Sequence, residues 1–333
     1  MRRKIIKQGH NTLTVTLPSD WVKRFNLKAG EEINLIERDN GLFLSTERVN
    51  NPAEITIDVD EIRTQLIWKY VSTAYRAGYD KIILKFPKDR TFNSPYKYFS
   101  KYAVDNAYNN QGNLTGDEFF HQLTDRFIGF EVLDYGDGFC ILKEIGQATS
   151  KEFESSLRRI FLLLLHLSEG IIDSLEHGKP EFLEKAHALD TQVDKFHDFC
   201  TRVLNKTGLE EPSKSALTSM LIFLLELVGD EFKNLAIQLR KKDLKELNSK
   251  KIIEFLNEIN EQLKIFYELY YKFDKEKLKQ LGELNKGFLD RESVKKNGSM
   301  KEDVLVTLGA INRYIDVLSE ILIAKQVSTH TAV

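Results

Sequence analysis

Apolar and polar residues alternate one by one near the start of the chain, and beyond residue 150 the apolar ones recur with a period near 3.6. The first period is that of a strand with one buried face, the second that of a helix with one buried stripe. In "TLTVTLP", Leu13, Val15 and Leu17 alternate with threonines, which predicts a half-buried strand. Pro18 then suits a helix start, because a first turn has no use for the N–H that proline lacks. "SDWVKRFNL" places Trp21, Val22 and Phe25 at helical spacing, and Gly30 ends the turn. "EINLIERDNGLFLS" reads as a hairpin around Asp39-Asn40-Gly41, residues that tolerate positive φ.

Residues 52–146 are mixed. "AEITIDV" and "DKIILKF" read as strands, with "DEIRTQLIWKYVSTAYRAGY" between them as an amphipathic helix closed by Gly78. "IGFEVLDYGDGFCILKEI" predicts a hairpin turning at Gly136-Asp137-Gly138. The stretch "FNSPYKYFSKYAVDNAYNNQGNLTGDEF" carries no clear period; its aromatics either pack on the sheet or stack on a ligand. From residue 150 the helical period predicts six helices, at about 151–176, 180–206, 213–241, 243–272, 275–296 and 300–326. "EHGKPEF", "TGLEEPS" and "KKNGSM" break them, and Asp274 is a candidate N-cap. Short loops between long helices imply antiparallel neighbours in a bundle. The chain thus divides into residues 1–48, 52–146 and 150–326.

Composition limits the function. With 333 residues, 42% hydrophobic and 29% charged, the chain fits a soluble protein of two or three domains. A net charge of −2 means that any nucleic-acid surface is local. Residues 1–28 hold Arg2, Arg3, Lys4, Lys7, Lys23, Arg24 and Lys28 against one acid, Asp20. That excess is a footprint of phosphate binding, or else a basic face that aids solubility. Cys140 and Cys200 form no metal or redox motif and fit a reducing compartment. "IFLLLLHLSEGII" is shorter than the roughly 20 residues of a membrane span, and the start lacks the apolar core of a signal peptide. The expectation is a cytoplasmic protein with no direct membrane insertion.

The third predicted helix, "TSMLIFLLELVGDEFKNLAIQL", is apolar nearly all round yet carries Glu226, Gly229 and Asp230. Glu226 and Asp230 are four apart and share a face. Asp190 and Asp194 on the second helix do the same. If the two helices pack side by side, four carboxylates converge, and they repel unless a cation lies between them. Oxygen ligands suit Mg²⁺, Mn²⁺ or iron. Gly229 leaves room for an ion or for a close helix. The alternatives are a solvated face and a buried salt bridge to Lys185, Lys195 or Lys233.

"EHGKPEFLEKAHALDTQVDKF" followed by "LLELVGDEFKNLA" resembles the PhoU family of phosphate-uptake regulators, with Asp190 and Asp194 as its aspartate pair and Glu226, Gly229 and Asp230 as its acid run. The resemblance implies a six-helix bundle of two three-helix repeats and carboxylate-bound divalent or trivalent metal ions. It also implies contact with a phosphate transporter's ATPase subunit or a sensor kinase. The second repeat departs from the pattern: it keeps Glu283 and Asp316 but has Gly287 and Asn312 where acids belong, so its site is expected to be weak. "TLTVTLPSDWVKRFNLKAGEEINLIERDNGLFL" resembles the AbrB/MazE/SpoVT swapped-hairpin family through Pro18, Leu27, Gly30 and Glu31. That likeness implies a β-barrel head made by an interlocked homodimer, with DNA bound by Arg2, Arg3, Lys4, Lys7 and Arg24. The whole is expected to be a multidomain regulator: a swapped-hairpin head, a small α/β middle and an all-α bundle.

No catalytic motif stands out. Phosphate loops, G-x-S-x-G and H-E-x-x-H are absent. A di-iron carboxylate site needs Glu-x-x-His on two helices, and only Glu184 to His187 fits. His187 and His197 are expected at the surface. The protein is not expected to be an enzyme.

Overall fold

The computed structural model describes residues 2–38, 41–46, 53–93, 114–146, 150–207, 212–241, 249–294 and 302–330. The chain separates into two compact units, Met1–Ala53 and Glu54–Val333.

In the first unit β1 (Ile6–Gln8) and β2 (Thr12–Thr14) pair antiparallel, Ile6 opposite Thr14, around Gly9 at φ 76°. Helix α1 (Ser19–Arg24) follows Pro18. β3 (Asn34–Arg38) and β4 (Gly41–Ser45) form a second antiparallel pair, Asn34 opposite Ser45. Asp39 and Asn40 of the expected turn lie outside the described residues. The two pairs are separate two-stranded sheets. None of the side chains described in this unit is buried. Ile5, Leu13 and Leu42 are 69%, 68% and 65% exposed. The hairpin around residues 39–41 forms as expected, but the expected half-buried strand ends at Thr14 with Leu13 and Val15 exposed, and among the described residues of this unit no barrel closes and no core is buried.

The second unit begins with an α/β layer of β5 (Glu54–Asp58), α2 (Thr64–Arg76), β6 (Lys81–Lys85), α3 (Gly116–Thr124), β7 (Phe130–Gly136) and β8 (Phe139–Glu144). The sheet order is β5-β6-β8-β7. β5 and β6 run parallel, Ile55 opposite Ile82, and α2 supplies the crossover that a parallel pair needs. The other pairs are antiparallel. The β7–β8 hairpin turns at Gly138, φ 83°, where a Cβ would lie 2.7 Å from the Phe86 carbonyl oxygen. α3 opens on a capping box: Thr115 Oγ1 accepts from Glu118 N at 3.3 Å, and Glu118 Oε2 accepts from Thr115 N at 2.9 Å. Ile67, Val71, Tyr75, Phe92, Phe119, Phe120 and Leu142 belong to the layer's own core. Residues 94–113, with most of the expected aromatic cluster, are outside the described residues.

Among the described residues six helices follow: α4 (Ser150–His177), α5 (Glu181–Thr207), α6 (Pro212–Arg240), α7 (Ser249–Tyr271), α8 (Lys275–Val294) and α9 (Glu302–His330). They share one hydrophobic core. The three helices of each successive triplet all touch one another, and the triplets meet through α4 on α7 and α6 on α9. From residue 224 to 240 α6 is therefore covered on every side, none of those residues being exposed, while Met220 and Phe223 before them stay exposed. That coverage is why its sequence is apolar all round. At Gly229 a Cβ would sit 3.2 Å from Val193 Cγ1 and 3.4 Å from Leu164 Cδ2, so the glycine lets α5 and α4 close on α6. Among the described residues, no helix is long and apolar enough to cross a membrane.

Candidate functional site

The seam between the α/β layer and the bundle is built on one stripe of α5. Asp194, Asp198, Arg202 and Lys206 recur every fourth residue, so they share a face. α2 packs on that face. Arg202 is fully buried, and its Nη1 donates to the carbonyl oxygens of Tyr75 at 2.7 Å and Tyr79 at 2.8 Å. Tyr75 is in the last turn of α2, so a side chain of α5 closes that helix's C-terminus. Arg202 Nη2 lies 3.1 Å from Glu144 Oε2, and the guanidinium stands over Tyr75 and Phe130 at 5.0 and 4.7 Å. Lys206 pairs with both Asp80 and Glu144. Arg76 meets Asp198 at 3.3 Å, and Arg126 meets Asp194 at 2.8 Å.

The acids singled out in the sequence do converge, but on protein cations. Lys233 of α6 donates from Nζ to Asp190 Oδ2 at 2.7 Å and also to Asp230. Of the three lysines proposed as salt-bridge partners, Lys233 is the one that binds the pair. Arg126, from the turn after α3, holds Asp194. Asp194, Glu226 and Asp230 line one cleft of about 380 Å³, with Trp68, Lys69, Arg76 and Arg126 facing them. Burial works against the Lys233 ammonium, but Asp190 and Asp230 outweigh it and hold it above the usual lysine range. Burial, then Asp194, pushes Asp190 up to about 8, with Lys233 pulling the other way. Burial, then Asp230, raises Glu226 to about 7. Asp194 is raised by burial, against the pull of Arg126. The four shifts share one cause: burial among more carboxyls than cations favours the protonated form of the acids and keeps the Lys233 ammonium charged.

The expected metal centre does not fit this arrangement. Lys233 stands between Asp190 and Asp230, and Arg126 occupies Asp194, so only Glu226 lacks an ion-pair partner among the described residues. Asp190 Oδ1 is buried without a hydrogen-bond partner, yet it offers a single atom, not a donor set. Among the described residues no group of three or more His, Cys, Asp or Glu is placed to hold a metal ion. Gly229 serves helix approach rather than an ion. In the second triplet Glu283 lines a different, open cleft with Glu258 and Gln280, and Asp316 is exposed on α9. Asn312 is instead buried, accepting from Gln262 Nε2 at 2.9 Å. His197 corrects the surface expectation: it is 8% exposed, with Nδ1 3.3 Å from Asp198.

The five residues expected to bind DNA lie at the surface: Arg2, Arg3, Lys4 and Lys7 at the start of the head and Arg24 in the last turn of α1. Residues 6–51 match the family described as antidote-toxin recognition MazE, bacterial antitoxin. The match covers the head alone. No curated protein and no solved structure matches the chain.

Proposed function

We propose that the protein is a homodimeric, cytoplasmic DNA-binding regulator without catalytic activity, whose head grips DNA and whose second unit carries the signal. One observation supports this above the others. The head exposes its apolar residues on two unconnected hairpins beside a run of basic side chains, and a unit this small needs a second copy to form a core. Swapped-hairpin domains of the matched type meet that need by interlocking and present their basic face to DNA.

The signal we propose is phosphate supply. Its support is the resemblance of α5 and α6 to PhoU proteins, with which the pairing of two helical triplets accords. A second reading has the head only dimerise while the bundle meets a phosphate transporter's ATPase subunit or a sensor kinase. Met220 and Phe223, about half exposed at 53% and 54% on α6, favour a protein contact there.

A mobility-shift assay of the full chain on phosphate-transport promoters tests the first reading. The expected result is a shift at low salt that is lost when Arg2, Arg3, Lys4 and Lys7 become alanine. No shift at low salt removes the DNA role. A shift indifferent to the four substitutions removes their assignment.

A further inference from the structure

We propose that the cleft between α2 and the α5–α6 pair binds a small zwitterion, its amine toward Glu226 and Asp230 and its acid group toward Lys69 and Thr73. The cleft holds about 380 Å³, within the range of small-molecule sites. Its two sides carry opposite charge. Lys69 and Arg76 of α2 and the adjoining Arg126 form a basic side; Asp194 and Asp198 of α5 with Glu226 and Asp230 of α6 form an acidic one. Opposed charges set a field across the space and favour a dipolar occupant.

Most of these charges are already spent. Arg126 is taken by Asp194 at 2.8 Å and Arg76 by Asp198 at 3.3 Å. Asp230 is held from behind by Lys233. Among the described residues no ion pair or hydrogen bond engages the side chains of Lys69 or Glu226. Among the described residues of the cleft's lining, the Lys69 ammonium on α2 and the Glu226 carboxyl group on α6 therefore remain unengaged. A simple anion would meet four carboxylates, and a simple cation three bases. A molecule with both ends satisfies each leftover group, and the Ser72 and Thr73 positions line the cleft beside Lys69. Because α2 belongs to the layer's core and α5 and α6 to the bundle's, the bound molecule would also bridge the two. None of this requires the head to bind DNA.

Calorimetric titration of the full chain tests the assignment, with γ-aminobutyrate, O-phosphoethanolamine and L-glutamine as probes. Butylamine and butyrate serve as the separate halves, and Mn²⁺ as a bare cation. At least one zwitterion should bind with a Kd below about 1 mM, and each half at least roughly tenfold more weakly. Lys69→Gln and Glu226→Gln should each weaken the zwitterion roughly tenfold. Both side chains stand at the cleft's wall rather than in a core, so circular dichroism should confirm the fold of each variant. Failure of all three zwitterions to bind overturns the proposal. So does equal binding by a half molecule, or an affinity that either substitution leaves unchanged. Binding of Mn²⁺ alone, abolished by Glu226→Gln, replaces it with a metal site.

Discussion

Arg202→Met removes the guanidinium that joins the α/β layer to the bundle while keeping an unbranched apolar stem in its place. Two carbonyl oxygens lose their donor, those of Tyr75 and Tyr79. A hydrogen bond from a charged donor contributes about 1.5 to 3 kcal/mol. The Tyr75 oxygen still receives Gly78 N at 3.0 Å, so its share is at the low end. Stacking on Tyr75 and Phe130 adds about 0.5 to 2 kcal/mol. Glu144 and Asp80 keep Lys206, which prevents either carboxylate from being stranded. The sum is a destabilisation of about 3.5 to 6.5 kcal/mol, overlapping the roughly 3 to 5 kcal/mol found when one partner leaves a buried charged pair. Urea unfolding followed by far-ultraviolet circular dichroism measures it. Trp68 emission in a Trp21→Phe background reports the layer separately, since the chain has two tryptophans. Arg202→Lys should recover less than half of the loss, because one ammonium cannot reach both carbonyls and stack on two rings. A loss below about 1 kcal/mol in Arg202→Met would show that Lys206 and apolar packing hold the seam without Arg202.

Leu13→Asp, on the exposed face of β2, should turn a dimeric protein monomeric in sedimentation experiments; a monomeric unsubstituted chain would refute the head's assignment. Glu226, raised from 4.5 to about 7, binds its proton more tightly in the native state, so its contribution is stabilising at low pH and is lost as pH climbs from about 4.5 to 7. Between pH 5 and 8 that loss amounts to about 2 to 3 kcal/mol, and Glu226→Gln should erase it; parallel stability–pH curves for the two proteins would disprove the burial argument. Gly138→Ala should cost about 2 to 3 kcal/mol by thermal denaturation, since it combines a left-handed backbone with a Cβ placed against the Phe86 carbonyl.

Local pattern carried the sequence reading a long way, and distance along the chain limited it. The period-two and period-3.6 stretches located the strands other than β1 and the six long helices to within a few residues, except that the start of α7 falls beside undescribed residues and α9 runs on to His330. Asp190 and Asp194 were rightly placed on one face, but a spacing of four cannot say what that face meets. Asp190 turns to Lys233 of α6, Asp194 to Arg126 from the α/β layer 68 residues away. Lys233 lies three residues from Asp230 and was within reach of pattern reasoning; Arg126 carried no such signal. α3 was written in the Thr115–Glu118 capping box, but the polar, aromatic run before it hid the helix. The head's β3–β4 hairpin was legible from alternation, whereas the exposure of its apolar residues was not, because alternation marks a face without saying what covers it.

The last turn of α2 is finished by a guanidinium that arrives from another part of the chain, some 125 residues downstream (127 from Tyr75 and 123 from Tyr79). A gene fragment ending before residue 150 would inherit that helix without its terminator. The sheet layer and the bundle are therefore expected to descend and recombine together, as one heritable module. The head, a separate unit by its contacts, is the piece expected to be exchanged independently.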